Sequence, residues 1–388
     1  MLDAHHLDAV RPYACLSTAF DEPAWRDEAG RSNAEPIPRS LVLRIEQPGD
    51  SERLLREIAL VAPHFDRDRD AVALQINATG MATAAVAALT SSLERHFHLV
   101  SAPRAARMIV LHAPRLSGAA AAALADLGFG GVDFATGLAD LDATLAAIDD
   151  ARQAGIGAVG VELSLPALPD GPELPPRLRD LLAAQPDRLS LRLPGSPAGE
   201  ARTEALATLA AALHAGGYRD IGLDTRPLAW LLEDDVRIGG IAEAVLAAAH
   251  AARRIPGEDV DLVSFGIGAR SRIGDAVSEN LADPDAWSAA VDAGRLPIWR
   301  GITLDAGARL RAHVAGQWLR TGEIQVEGIE HRHGIVFSEY FADSLERLRP
   351  HQADGLVSCA PWYVRATSRG RLMLRIMARC FDPPAPHR

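Results

Sequence analysis

Leu41-Val42-Leu43-Arg44-Ile45, followed by Glu46-Gln47-Pro48-Gly49-Asp50, is the stretch on which the fold turns. An apolar run interrupted by one Arg and closed by Pro and Gly has the length and punctuation of a buried strand and its exit turn. Directly after it, Leu54, Leu55, Ile58, Ala59 and Ala62 recur at helical spacing, with Ser51 as the expected N-cap and Pro63 as the stop. Strand, short turn and amphipathic helix make a βα unit.

The unit then repeats. Ala71 to Ile76 reads as a second strand, with the turn Asn77-Ala78-Thr79-Gly80 and an Ala-rich helix to about His96. Met108 to Leu111, Gly131 to Ala135 and Ala158 to Leu163 follow, separated by a helix capped by Ser117 and another from about Leu138 to Ala154. A loop from Pro166 to Pro176 is too proline-dense to be an element. Arg188 to Leu193, Arg219 to Asp224 and Asp261 to Ile267 supply a sixth, seventh and eighth strand, with a helix from about Glu200 to Ala215 after the sixth. Short buried strands alternating with helices imply right-handed parallel βαβ units. The expected fold class is α/β, one sheet curling into all or part of a barrel, with reactive groups where the strands end.

The two ends break this rhythm. Pro12, Pro23, Pro36 and Pro38 make residues 1–39 an irregular strap. From Asp305 the pattern is helix after helix: Leu310, Val314, Trp318 and Leu319 form one stripe, and Phe337, Tyr340, Phe341, Leu345 and Leu348 another. Asp354 to Val357 and Trp362 to Ala366 read as a hairpin, and Leu372 to Met377 as a last helix. This is a small α-rich module resembling a winged helix. The expected division is strap 1–39, barrel 40–300 and C-terminal module 301–388.

Composition narrows the function classes. With 48% hydrophobic and 23% charged residues in 388, the chain has the material for a large core. No apolar run approaches the ~20 residues of a membrane span. The start, Met1-Leu2-Asp3-Ala4-His5-His6, lacks the basic-then-apolar pattern of a signal peptide, so the expected location is cytoplasmic. All 40 basic residues are Arg, which excludes lysine Schiff-base chemistry and a P-loop. A formal net charge of -11 argues against nucleic acid as a partner. Cys15, Cys359 and Cys380 are too few and too scattered for a disulfide framework.

Asp261-Leu262-Val263-Ser264-Phe265-Gly266-Ile267-Gly268-Ala269-Arg270-Ser271-Arg272-Ile273-Gly274-Asp275 and Trp299-Arg300-Gly301-Ile302 resemble segments of the oxygen-independent coproporphyrinogen III oxidases. Those are radical S-adenosylmethionine (SAM) enzymes of haem synthesis. The resemblance strengthens through Phe341 to Leu345, Asp354 to Val357, Thr367 to Leu372 and Cys380-Phe381-Asp382. Weaker echoes at Ala62 to Phe65, Leu127 to Phe129, Pro186 to Ser190 and Gly217 to Gly222 keep the family's order, so the likeness runs from about Arg11 to Asp382. It implies a radical SAM type of incomplete (β/α) barrel with the family's C-terminal domain.

The resemblance also implies a site, which the sequence tests position by position. The family's first strand leads into a CxxxCxxC loop holding a [4Fe-4S] cluster; here that strand runs straight on to Asp50 and a helix. The family's Gly-rich SAM turn aligns with Asn77-Ala78-Thr79-Gly80, its acidic SAM contact with Leu111 or His112, and its polar contact with Gly137. Glu162 stands where the family has an Asp at the end of the fifth strand. No cluster, SAM site or metal is therefore expected.

Glu162, Gly266, Gly268, Arg270 and Arg300 are the candidate substrate-binding residues. Glu162 has the chemistry to bind a polar ligand in the barrel mouth, or to cap a helix or pair with an Arg. Gly266 and Gly268 permit backbone approach to a tetrapyrrole, or close strand-helix packing. Arg270, Arg272 and Arg300 suit planar propionate carboxylates, or ion pairs with the chain's surplus acids. His331-Arg332-His333 reads as an exposed loop with two imidazoles, Cys380 as a core thiol, and no GxSxG elbow is present.

The resulting expectation is a cluster-free coproporphyrinogen III oxidase-like protein of haem or porphyrin metabolism. It would be non-catalytic, binding a porphyrin or haem or an intact paralogue. The alternatives are an enzyme acting on coproporphyrinogen by non-radical chemistry and a purely structural interaction protein.

Overall fold

The computed structural model describes residues 16–47, 49–100, 106–113, 116–164, 176–194, 215, 220–224, 233–239, 260–367 and 369–382. The opening stretch is a strand, β1 (Ser40–Gln47), and the helix after it is α2 (Ser51–Val61), the first helix being α1 (Glu22–Asn33). Asp50, not Ser51, is the N-cap: its carboxylate accepts from the Glu52 and Arg53 N–H groups at 2.8 and 3.2 Å. An ionised cap at the positive end of the helix gains from both the hydrogen bonds and the dipole.

The series continues with β2 (Asp70–Asn77), α3 (Thr83–His96), β3 (His98–Leu99), β4 (Ala106–His112), α4 (Gly118–Asp126), β5 (Gly131–Gly137), α5 (Leu141–Gln153) and β6 (Ala158–Ser164). Then come α6 (Pro176–Ala183), β7 (Arg188–Pro194), β8 (Asp220–Asp224), β9 (Glu233–Gly239) and β10 (Val260–Gly266). Strands β10, β1, β2, β4, β5, β6 and β7 are successive parallel neighbours. The expected eighth strand therefore lies beside the first, as it does in a barrel.

The far edge departs from expectation. The expected seventh strand, β8, does not pair with β7; β9 lies between them, antiparallel to both. Its sequence, Glu233-Asp234-Asp235-Val236-Arg237-Ile238-Gly239, carries three acids in a row and gives little strand signal. The near edge is also extended, by the antiparallel strands β11 (Arg270–Ile273), β12 (Ala276–Asn280) and β13 (Ile298–Thr303), with α7 (Pro284–Asp292) before the last. Among the described residues the sheet ends at β13 and β8 without closing. This is an incomplete barrel.

Residues 16–39 are not an irregular strap. Pro23 sits in the first turn of α1, where its missing N–H costs nothing, and Asp21 caps the helix through the Ala24 N–H at 3.1 Å. Trp25 and Ala29 of that helix are buried in the same core as Leu41, Leu43 and Ile45 of β1 and Leu54 and Ile58 of α2. The Pro166–Pro176 loop falls almost wholly outside the described residues, as does the helix expected from Glu200.

The C-terminal module is α8 (Ala306–Thr321), β14 (Glu323–Gln325), α9 (Val326–His333), α10 (Phe337–Tyr340), α11 (Ala342–Ala353), β15 (Val357–Ala360), β16 (Tyr363–Ala366) and α12 (Leu374–Ala378). Its strands form a separate antiparallel sheet in the order β14-β16-β15. Leu310, Val314, Trp318, Phe337, Phe341 and Leu348 share a core with Cys380 and Phe381, distinct from that of the barrel. Helices plus a three-stranded wing give the winged-helix-like arrangement; β14 and α9 had no sequence signal. His331, Arg332 and His333 are the last turn of α9, not a loop.

Candidate functional site on the concave face of the sheet

Alternation along each strand divides the sheet. Leu43, Ile45, Ile76, Ile109, Phe134, Val161 and Phe265 face the helices. The intervening residues face the concave side, where Val42, Ala73, Met108 and Leu262 form an apolar floor. Above that floor the concave residues turn polar: Arg44 and Glu46, Gln75 and Asn77, Asp133, Glu162 and Arg188.

Arg44 stands in register between Gln75 on β2 and Ser264 on β10, and reaches Glu46 at 3.3 Å. Gln75 Oε1 and Ser264 Oγ are buried without a hydrogen-bond partner among the described residues. Buried polar atoms of this kind are costly unless a polar guest satisfies them. Asn77 ties two strand ends together: its amide donates to the Glu46 carbonyl at 2.8 Å while its Oδ1 accepts from the Thr79 hydroxyl at 2.6 Å.

On the opposite wall Asp133, Gly160 and Arg188 are register partners on β5, β6 and β7. Asp133 and Arg188 form an ion pair across the intervening strand. Glycine is required between them, because a Cβ at 160 would stand on the Asp133 carboxylate and 2.9 Å from Arg188 Nη2. Glu162, one step further along β6, is buried and faces the same concavity.

The sheet extension carries the candidate arginines. Arg270, Glu279 and Arg300 are successive register partners on β11, β12 and β13. Glu279 lies between two guanidinium groups, 3.4 Å from Arg270 Nη2 and 2.7 Å from Arg300 Nη2. Arg300 is further held over the Trp299 ring at 4.2 Å. The ion-pair reading of these arginines is thus realised on Glu279. The structure brings Arg270 and Arg300 together on Glu279 and puts Glu162 on the other side of the barrel.

Gly266 and Gly268 form the turn from β10 toward β11, at φ +107 and +63. At Gly266 a Cβ would meet the Gln47 carbonyl, so the close approach is to β1. The Gly266 N–H donates to Glu57 on α2 at 2.9 Å, and the Asn280 amide donates to the same carboxyl at 2.7 Å. Burial is the largest influence on Glu57 and pushes its pKa up to about 8, against the lowering influence of these two donors and of the nearby Trp287 side chain. Glu57 was not singled out from sequence, although it shares a helix face with the apolar Leu54, Ile58 and Val61. Asp133 was also visible as a lone acid inside an apolar strand.

The turn after β1 decides which cofactor the site fits. Gln47 pairs with Gly266 after a bulge, Gly49 packs so that a Cβ would be 2.8 Å from the Trp287 ring, and Asp50 is spent as a helix cap. No cysteine occurs between Cys15 and Cys359. Cys359 is half-buried on β15, Cys380 is buried with its Sγ 3.6 Å from the Arg347 carbonyl, and Cys15 lies outside the described residues. Burial raises the pKa of both described thiols, the wrong direction for metal-binding thiolates. Among the described residues no group of three His, Cys, Asp or Glu is arranged to hold a metal, and none of the helices is long and apolar enough to cross a membrane. These residues do not fit a cysteine-held cluster.

No protein-family model matches the chain. The oxygen-independent coproporphyrinogen III oxidase of Pseudomonas aeruginosa is 28% identical over 368 residues, covering 86% of this chain and 78% of that protein. The Salmonella typhimurium enzyme of the same name is 31% identical over 188 residues, 48% of this chain and 40% of that one. The solved structure of Escherichia coli coproporphyrinogen III oxidase, a radical SAM enzyme, superposes with a TM-score of 0.80 over 96% of both chains at 22% identity. That superposition establishes the fold. Along most of the barrel and module the chain is thus similar in sequence to the oxygen-independent coproporphyrinogen III oxidases.

Proposed function

We propose that this chain is a cluster-free protein of porphyrin metabolism that binds a propionate-bearing tetrapyrrole on its concave face without radical chemistry. The observation that carries the reading is the β1-to-α2 turn, where Gly49, packed on Trp287, and the capping Asp50 occupy a connection that offers no thiolate, inside a chain otherwise homologous to coproporphyrinogen III oxidases. Arg270 and Arg300 are the proposed propionate ligands, since guanidinium pairs with planar carboxylates and the two arginines are brought side by side on Glu279. Gln75, Ser264 and Glu162 supply polar groups deeper in the concavity, and the Gly266 to Gly268 turn forms its rim beside β1. The role is that of a tetrapyrrole carrier or an accessory to an intact paralogue.

Anaerobic purification with iron and sulfide analysis, followed by incubation with coproporphyrinogen III and SAM, tests it. The expected result is no stoichiometric iron, no 5'-deoxyadenosine, and a saturable porphyrin absorbance change in the micromolar range. Stoichiometric iron with a cluster absorption band would overturn the reading. Vinyl product formed without SAM would transfer the site to non-radical catalysis.

A further inference from the structure

We propose that Gln75 and Ser264 are specificity-determining residues of the concave site: they accept from the pyrrole N–H groups of its guest and so select a metal-free tetrapyrrole over the metal chelate of the same ring. The inference rests on the tetrapyrrole reading of that site and adds the state of the ring to it.

Register fixes where the two side chains stand. Ser264 on β10, Arg44 on β1, Gln75 on β2 and Met108 on β4 are successive partners across four neighbouring parallel strands, and all four face the concave side. Gln75 is 8% exposed and Ser264 4%. Gln75 Oε1 and Ser264 Oγ have no hydrogen-bond partner among the described residues, whereas polar groups beside them are bonded. Arg44 reaches Glu46 at 3.3 Å, and the Asn77 amide donates to the Glu46 carbonyl. Even the Ser264 backbone is served, since the Ser271 hydroxyl accepts from its N–H at 3.0 Å and donates to its carbonyl at 3.4 Å. Two orphaned oxygens in one row destabilise the folded chain, and a guest bearing hydrogen-bond donors offsets that cost.

The chemistry of the two oxygens gives the class of guest. An amide oxygen only accepts, so the guest presents a hydrogen on N or O at Gln75, and the Ser264 hydroxyl is able to accept a second. A carboxylate has no such hydrogen, and the row lies beside the apolar Val42, Ala73 and Leu262. Carboxylates are suited one strand away. Leu262 is the register partner of Arg272 on β11, and Arg270, two residues along the same strand, shares its face. A ring whose propionates reach Arg270 and Arg300 lays its body across β10, β1 and β2, and the donors of that body are its pyrrole N–H groups. Saddling of a free-base ring tilts these bonds out of the mean plane toward the sheet. A chelated metal replaces the hydrogens and leaves Gln75 and Ser264 without partners.

Absorbance titration of the full chain with coproporphyrin III and with its square-planar nickel(II) chelate tests this, because the chelate keeps the propionates and has no N–H. The parent should bind the free base about tenfold or more tightly than the chelate. Gln75→Met/Ser264→Ala should erase that preference while binding the chelate as the parent does, and Arg300→Gln should weaken both forms alike and keep the preference. Thermal melting without porphyrin separates a ligand-reading role from a structural one. Ser264→Ala, which removes a single unpartnered oxygen, should melt at the parent's temperature or above it, and it also carries the binding comparison if Met at position 75 disturbs folding. Equal binding of the two forms by the parent, a preference retained in the variants, or a lowered Tm in Ser264→Ala overturns the inference and leaves the tetrapyrrole reading standing. Binding of neither form by the parent overturns both.

Discussion

The backbone N–H of Gly266 donates to the buried carboxyl of Glu57 at 2.9 Å, joining the end of β10 to the helix that leaves β1. The Glu57 pKa is about 8 folded, against 4.5 for an ordinary Glu. Below the ordinary value both states hold the proton and its stabilisation is complete. Between about pH 4.5 and 8 the unfolded chain releases the proton while the folded one keeps it, so stability falls by about 1.4 kcal/mol per pH unit at most. Glu57→Gln, a mimic of the neutral acid, should lose this component, so that its stability relative to the parent improves as pH rises. Urea unfolding across that range checks it; parallel curves for the two proteins would refute a neutral Glu57.

Gly160 leaves the gap through which Asp133 and Arg188 pair. Gly160→Ala should destabilise by about 1–3 kcal/mol through overpacking. Arg188→Met should cost about 3–5 kcal/mol, because it removes the guanidinium paired with a buried carboxylate, and adding Asp133→Leu should recover much of that. Denaturant midpoints of the single and double variants measure both effects. Additive losses in the double variant would mean that the pair is not coupled.

At the foot of the barrel, Asp261 accepts from Arg69 Nη2 at 2.7 Å and from the Gly274 N–H at 2.8 Å, and also from the Ser32 hydroxyl. Both members of the ion pair are buried. Arg69→Met should therefore lower stability by about 3–5 kcal/mol. Exposed Arg56→Gln should change it by less than about 1 kcal/mol. Equal effects in thermal melts would remove the Arg69–Asp261 pair as a structural anchor.

Arg300 is only partly buried and shares Glu279 with Arg270. Arg300→Gln should weaken porphyrin binding about tenfold, the worth of one charge-assisted pair, while leaving the melting temperature nearly unchanged. Arg270→Gln should weaken binding and lower stability together, since its removal is felt inside the sheet. Absorbance titration with coproporphyrin III reads the affinities. An unchanged affinity in Arg300→Gln would place the ligand elsewhere.

The parallel series was legible because its information is local. Runs such as Leu41 to Ile45 and Ala158 to Leu163 are covered on both faces, so apart from Arg44 and Glu162 they are apolar or small, and the helices between them carry a regular stripe. The family was legible for a related reason, through ordered segments such as Asp261 to Asp275. What escaped was polar. β9 opens with three consecutive acids, the β11 to β13 ladder is rich in charged and polar residues, and α1 hid behind a proline that in fact starts it.

The candidate site was legible only in part. Arg270 and Arg300 could be named from sequence, but Glu279, which holds them together, became visible only when β12 placed it between their strands. Sequence alone determined that the chain has no cysteine between Cys15 and Cys359, no lysine, and a βα rhythm with a helical tail, because these are properties of composition and spacing. The tertiary structure decided which polar groups face the concavity, that Glu57 is buried beneath the first turn, and that Gln75 and Ser264 stand in one row on either side of Arg44. Those relationships are set by strand register and packing, which bring together residues far apart in the chain.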